Sequence, residues 1–420
     1  MKKSNSILEK ILLKIRYRNI VISISHSNYK VVTAGTEKVL CEEQEILFQN
    51  GISYIHFFPK LYSFNSPIDD NTQYLGMTID AEFIDYFNIN QLKAILYILK
   101  KLNIKFLGIN IHHTLGIDMS ILDKLISNIS DNIKFFLHDY YSVCPQINFL
   151  KNDKKYCGNM PKSKCLDCVY GKKIEEHINK FRCFFHKYDI TFVAPSQIAK
   201  ELWVKTYGEL SHKVRIVPHQ VFKGTYRKNN ISDDKIRLAY VGYQAIHKGW
   251  DMWKFITENI DTDKYELYHL GKCSEKIKNV NNIKVSFHKG GRDAMIKTIR
   301  NNNIDIVFLW SIWPETYSYT YFESYAAGAF VITNSCSGNI ADQVIKNQNG
   351  IILANKHSIR RFLADSDSVV KLLKKNANMK FPLILDTNVE LLDEIINLVC
   401  KKNEKFSFNK HDLINTLNKL

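Results

Sequence analysis

Two carboxylates interrupt the stretch WPETYSYTYFESYAAG (313–328): Glu315 and Glu323, in a run otherwise aromatic, hydroxylated or small. The apolar runs Ile304–Trp310 and Ala329–Thr333 flank it, so both acids fall in the connection between two buried strands. Eight helical residues advance about 80° beyond two full turns. A helix beginning near Ser318 leaves Glu315 in the preceding loop and puts Glu323 in its second turn. Both then face the helix N-terminus, where free N–H groups favour phosphate. The plain alternative is a pair of solvated surface acids. Aromatic flanks and the AAGAFVIT that follows argue instead for burial, which a carboxylate tolerates only when hydrogen-bonded.

Other reactive side chains follow apolar runs: His112 and His113, His138 and Asp139, and Tyr243 to Lys248. A histidine at a strand end is as often structural as catalytic, so none of these is decisive alone. Cys144, Cys157, Cys165 and Cys168 lie close together in a segment rich in Lys, Asp and Asn. Four thiols are enough for a structural Zn²⁺, but zinc sites pair two CxxC-like knuckles and only one stands here. Unligated thiols or a disulfide therefore remain the other reading. Asp261–Asp263 and Asp365–Asp367 mimic a metal-binding DxD, yet neither follows an apolar strand. Both read as surface loops and imply no catalytic metal.

The elements that must position these groups are legible from periodicity. Asn19–Ser25, Ser53–Pro59, Lys105–His113, Lys134–Tyr141 and Ile190–Ser196 read as strands. Helical patterns at 35–51, 90–101, 120–129 and 172–186 separate most of them. The second half repeats the habit with Ile236–Gly242, Tyr265–Gly271, Ile283–His288, Ile304–Trp310, Ala329–Thr333 and Ile351–Ala354. Alternating apolar strands and helices predict an α/β fold of parallel sheets covered on both faces. Two such series predict two doubly wound domains, 1–225 and 226–420, joined at the polar stretch Lys223–Lys235. Ligands bind beyond the carboxyl ends of such strands. The candidate residues come from both halves, so an interdomain cleft is expected.

With 420 residues, 45% hydrophobic and 24% charged, the chain is globular and large enough for two cores. No apolar run is long enough to span a membrane, and the N-terminal segment is too interrupted by charge for a signal peptide. Nine cysteines, an odd number, fit reduced thiols in a cytoplasmic protein. A net charge of +16 favours polyanionic partners. No recognition helix, RNP-type strand or C2H2 finger accompanies it, so nucleic acid is not expected. Ile7, Leu8, Ile11, Leu12 and Ile15 share one helical face beside Lys10, Lys14 and Arg16. That face suits either an anionic membrane surface or packing on the first domain.

The run Pro314–Leu353 resembles the signature of the retaining glycosyltransferases of family 4: E-x7-E, a small-residue AAG, an apolar strand, a Gly-containing loop and an NG turn. Tyr240–Trp253 is similar to that family's strand–Gly–loop–KG element. Val193–Leu202 and Val214–Val221 resemble the strand–helix and turn that precede its second domain. Phe135–Pro145 resembles its histidine-bearing strand end, and Val32–Leu47 its Gly-rich first βα turn. The resemblance implies the GT-B architecture, two Rossmann-like domains facing a cleft.

It also implies roles. Glu315 would accept hydrogen bonds from donor-sugar hydroxyls, and Glu323 would hold the ribose diol. The backbone N–H groups of Ser318, Tyr319 and Thr320 would meet the diphosphate with Lys248, near Gly242. His138 would lie against the sugar, and Gly35 and Thr36 would line the acceptor side; His113 is expected there from its own place at a strand end. The family's arginine after the Gly is Tyr243 here, with His247 or Arg292 as substitute cations. The family's later glycine is Ser318, a residue that caps helices. A subset of the family carries a cysteine-bearing insertion like 144–170, and the last helix would pack back on the first domain.

The expected activity is sugar transfer from a UDP- or GDP-sugar to a glycan or lipid-linked glycan, with retention and no catalytic cofactor. Cell-surface polysaccharide or glycolipid assembly at the cytoplasmic membrane face is the expected context. A sugar-nucleotide epimerase of the same fold, or an inactive sugar-nucleotide-binding protein, are the alternatives.

Overall fold

The computed structural model describes residues 2–32, 34–60, 73–158, 165–228, 235–399 and 405–406. The expected linker thus lies partly outside the described residues, as do 159–164 of the cysteine-bearing segment and most of the chain after 399.

The first half builds β1 (Asn19–Ile24), β2 (Ile52–Pro59), β3 (Tyr74–Ile79), β4 (Glu82–Asn88), β5 (Lys105–Ile111) and β6 (Ile133–Phe136). A small hairpin, β7 (Leu150–Lys151) and β8 (Lys155–Tyr156), stands apart from β9 (Ile190–Ala194) and β10 (Val214–Ile216). The sheet runs β10-β9-β6-β5-β1-β2-β3-β4. It is parallel except at one edge, where β3 pairs antiparallel with β2 and β4. Sequence periodicity did not resolve this edge: β4 buries only Ile84 and Phe87, three apart across a register shift in its pairing with β3, and exposes Glu82 and Asp85, as edge strands do.

The second half builds β11 (Gln220–Arg227), β12 (Ile236–Val241), β13 (Tyr265–Leu270), β14 (Val280–Ile283), β15 (Ile306–Phe308), β16 (Phe330–Thr333), β17 (Gly350–Ile352) and β18 (Lys380–Thr387). Its sheet order, β14-β13-β12-β15-β16-β17, is wholly parallel and doubly wound about β12. Strands β11 and β18 form a separate antiparallel ribbon, so the stretch expected as linker begins in a strand.

The strand expected at Ile283–His288 is a correction. β14 ends at Ile283, where Gly271 N–H bonds to the Ile283 carbonyl, and Phe287–Gly290 is a helical turn. Past Ile283, which ends β14 and packs on the core, the apolar spacing continues because Val285 and Phe287 line the cleft.

The N-terminal helix, Lys2–Lys14, does not offer its apolar face to a membrane. Leu8, Ile11, Leu12 and Ile15 are buried in the core of the first sheet. Full burial of each such side chain contributes about 1.5–3 kcal/mol. The last described helix, Glu390–Ile396, sets Leu392 and Ile395 against Leu40 and Leu47 of the first half. No described helix is long and apolar enough to cross a membrane.

Candidate functional site

In each sheet the chain reverses direction beside the first strand laid down, leaving a crevice at the strand ends. In the first sheet the crevice lies past β1 and β5, which lead to His26 and to His112 and His113. In the second it lies past β12 and β15, which lead to Gly242 and to the loop holding Glu315. The two crevices face each other. Two adjoining cavities of about 290 and 340 Å³ share Ala34, Gly35, Tyr243, Lys248, Glu315 and Tyr319 in their walls.

Helix Tyr319–Ala326 starts in this cleft. Ser318 caps it, its hydroxyl accepting from the Tyr321 N–H at 3.3 Å. Glu315 lies in the loop before the cap and is 2% exposed; Glu323 lies inside the helix and is 7% exposed. Neither is a surface acid. Lys248 Nζ meets Glu315 Oε1 at 2.6 Å. Burial alone would lower the Lys248 ammonium, but the Glu315 carboxylate outweighs it and holds the amine above the ordinary lysine range. Lys38 Nζ meets Glu323 Oε1 at 2.9 Å and lies 4.3 Å from the centre of the Tyr319 ring.

The loop carrying Glu315 is pinned from both halves. Tyr140 Oη donates to the Pro314 carbonyl at 3.0 Å, and Thr316 Oγ1 donates to the His138 carbonyl. Within the second half, Asn339 N–H donates to the Glu315 carbonyl at 2.9 Å. Gly338, at φ +58°, lies so close that a Cβ would stand 2.6 Å from the Glu315 nitrogen.

Facing this loop is a group of imidazoles from the first half. His138 Nε2 lies 3.0 Å from His112 Nδ1, and His112 Nε2 lies 3.2 Å from Glu43 Oε2. Glu43 also accepts from Tyr54 Oη at 3.0 Å and Asn110 Nδ2 at 2.7 Å. Burial would raise the Glu43 carboxyl; His112 and these two donors outweigh it and hold it below the ordinary range. His138 stays neutral well below its ordinary value, through burial and then the neighbouring His219 and His112. His113 has both ring nitrogens engaged, Nε2 with Asp139 at 2.7 Å and Nδ1 accepting from Leu115 N–H at 2.9 Å. It is a fixed wall of the cleft.

Gly242, Tyr243, Lys248, Glu315, Ser318, Tyr319, Thr320 and Glu323 come together around one cavity; Gly35 joins them there, and Thr36, His113, His138 and His247 line the other. His247 is held neutral near pKa about 4 by burial and by Lys248, and pairs with the Tyr243 hydroxyl. Neither cavity includes a DxD aspartate. Among the described residues no disulfide joins Cys144, Cys157, Cys165 and Cys168. Among the described residues no three His, Cys, Asp or Glu side chains are gathered to hold a metal ion. Burial raises the Cys144 thiol to about 12.

Sequence reasoning missed Lys38, Glu42, Glu43 and His219. The available signal was in Gly35–Gln49: Lys38, Glu42 and Glu43 sit on an amphipathic helix as charges that a solvated face would also carry. In fact this helix is buried nearly all round, because it is wedged between the two halves.

The buried imidazoles set an acid limit on stability. His56 is fully buried and burial lowers it to about 3; His219 is lowered to about 3 and His26 to about 4, also chiefly by burial. Unfolded histidine binds its proton near pH 6.5, so the unfolded state gains protons that the folded state refuses as pH falls. Stability is therefore whole above pH 6.5 and is lost toward pH 3, by about 1.4 kcal/mol per pH unit for His56. Asp80, raised to about 6 by burial, and Glu42 and Asp342, also raised by burial, oppose this as the pH falls, while the lowered Glu43 and Asp139 act with the histidines. The melting temperature should fall steadily from pH 7 to pH 5; a flat profile would contradict buried neutral histidines.

No protein-family model and no curated protein sequence matches the chain. Solved structures do. Sucrose-phosphate synthase from Thermosynechococcus elongatus aligns at TM-score 0.55 and 13% identity, over 96% of this chain and 98% of that one. A glycosyltransferase from Rickettsia africae aligns at 0.52 and 12%, over 96% and 97%. The catalytic domain of starch synthase IV from Arabidopsis thaliana, bound to ADP and acarbose, aligns at 0.50 and 11%, over 90% and 99%. At such identities the likeness speaks to architecture, and with the two facing sheets it assigns this chain the GT-B fold, two Rossmann-like domains about a cleft.

Proposed function

We propose that this chain is a retaining glycosyltransferase that moves a sugar from a nucleoside diphosphate donor to a hydroxyl acceptor. One observation carries the reading: two buried carboxylates, each with a lysine, flank a helix start that opens into the interdomain cleft. A carboxylate is a pure acceptor and binds a sugar or ribose diol through charge-assisted bonds worth about 1.5–3 kcal/mol each. Glu323 takes the ribose and Glu315 the donor sugar. The N–H groups of Ser318, Tyr319 and Thr320 take the diphosphate with Lys248. His138 lies against the sugar, and Gly35, Thr36 and His113 border the acceptor.

As the anomeric bond breaks, charge gathers on the leaving diphosphate, where a fixed cation and the helix start lower its energy. The sugar becomes oxocarbenium-like, and the acceptor hydroxyl attacks from the face the diphosphate leaves, its proton passing to the departing phosphate oxygen. No side chain forms a covalent bond, and charge neutralisation is assigned to Lys248 and the helix start without a divalent ion. The acceptor is a glycan or lipid-linked glycan of cell-surface assembly, at the cytoplasmic membrane face, a context that suits the +16 charge. Tyr243, standing where the resembled family has arginine, favours one second reading, a sugar-nucleotide-binding protein without turnover.

The ribose role is tested with Glu323→Ala. In calorimetric titrations of UDP, GDP and ADP, the nucleotide that binds the wild type should bind this variant about ten-fold or more weakly. Unchanged affinity would remove the ribose role. Binding without transfer to any acceptor would favour the inactive reading, and release of an isomerised donor an epimerase.

A further inference from the structure

Resting on the donor reading above, we propose that Lys38, from the first half, is a ligand of the donor diphosphate and is freed for that task when the ribose engages Glu323. Beyond Lys248, itself paired with Glu315, the second half is short of positive charge where the diphosphate would lie. Tyr243 is uncharged at neutral pH, and burial, reinforced by Lys248, keeps His247 neutral. Arg292 lines the cavity, but its Nε lies 3.2 Å from Glu42 Oε1 and its Nη1 2.7 Å from Asp386 Oδ1. Two carboxylates already claim it.

Lys38 differs in kind. It lines the same cavity, is 8% exposed, and has Glu323 as its acid partner at 2.9 Å. Its ammonium lies over the ring of Tyr319, the first residue of the helix whose N-terminus would receive the phosphates. The ribose hydroxyls and Lys38 therefore compete for one carboxylate. When the ribose takes Glu323, a buried ammonium is left beside an incoming dianion, and the pairing passes from carboxylate to diphosphate. No bond is made or broken in this exchange. Glu42, one turn further along the same helix, holds Arg292, so the helix carries Lys38 on a fixed support.

Two roles are possible for a lysine in this place, and nucleosides separate them from diphosphates. Titrate UDP, GDP, ADP and the matching nucleosides into wild type, Lys38→Met and Lys38→Arg. The diphosphate that binds the wild type should bind Lys38→Met about ten-fold or more weakly, while the nucleoside binds no worse. Lys38→Arg should recover most of the loss, which also shows that the pocket survives substitution. If Lys38→Met binds the diphosphate equally or more tightly, Lys38 is only a competitor for Glu323 and the proposal falls. It falls too if nucleoside and diphosphate weaken alike, since the lysine would then merely hold Glu323 in place. A wild type that binds none of the diphosphates overturns the donor reading itself, and this inference with it.

Discussion

Replacing Lys248 by methionine is expected to lower turnover by at least about a hundred-fold, the usual cost of removing one preorganised group that stabilises a developing anion. Two losses combine. The leaving diphosphate loses the cation that the proposed mechanism sets beside it. Glu315, only 2% exposed and paired with Lys248 at 2.6 Å, is left as a buried acid without its counter-charge. A buried carboxylate left without its partner is costly and is no longer held in place to receive the sugar hydroxyls. Donor hydrolysis or transfer, followed by nucleoside diphosphate release, measures the effect. Because Glu315 and Lys248 act together, Glu315→Gln with Lys248→Met should cost less than the product of the single losses. Turnover within ten-fold of wild type in Lys248→Met would remove it from the chemistry.

The second large effect is expected from Gly249→Ala, one residue further on. Gly249 has φ +82°, a conformation that L side chains rarely adopt. Its added Cβ would overlap the Trp310 carbonyl and stand 2.7 Å from the Trp310 Cβ. Backbone cannot yield there, because the His247 carbonyl accepts from Ile312 N–H and Ser311 Oγ, each at 3.1 Å. Left-handed strain and overpacking together cost about 2–5 kcal/mol. Relief would come by parting the two loops that bring Lys248 to Glu315. Chemical denaturation should show the loss of stability and activity assays a fall in turnover; a variant with wild-type values in both would mean that the loop contact is dispensable.

Much of this was legible in the chain because parallel, doubly wound sheets repeat a simple pattern. β1, β5, β9, β12, β13, β15 and β16 fall inside expected apolar runs, since strands buried on both faces leave continuous hydrophobic signals. The antiparallel edge β3–β4 and the ribbon β11–β18 were not legible. β4 and β11 are largely exposed and broken by charge, so they look like loops, and β3 is a six-residue strand whose pairing depends on β4. The run at 283–288 misled for the opposite reason: the cleft-lining Val285 and Phe287 are apolar at strand-like spacing but lie beyond the end of β14.

The spacing of Glu315 and Glu323 about a Ser-capped helix start, and the apolar strands on either side, were determined by sequence alone. Local rules suffice there, because a cap, a helical period and a strand each depend on neighbours in the chain. Which charges answer those acids was decided only by tertiary structure. Lys248 lies 67 residues from Glu315 and Lys38 lies 285 from Glu323, the latter in the other half of the molecule. So it was with the N-terminal helix, whose apolar face was equally fit for lipid until the first sheet covered it. An ion pair or a buried face needs a partner brought up by the fold, and no local pattern records which partner arrives.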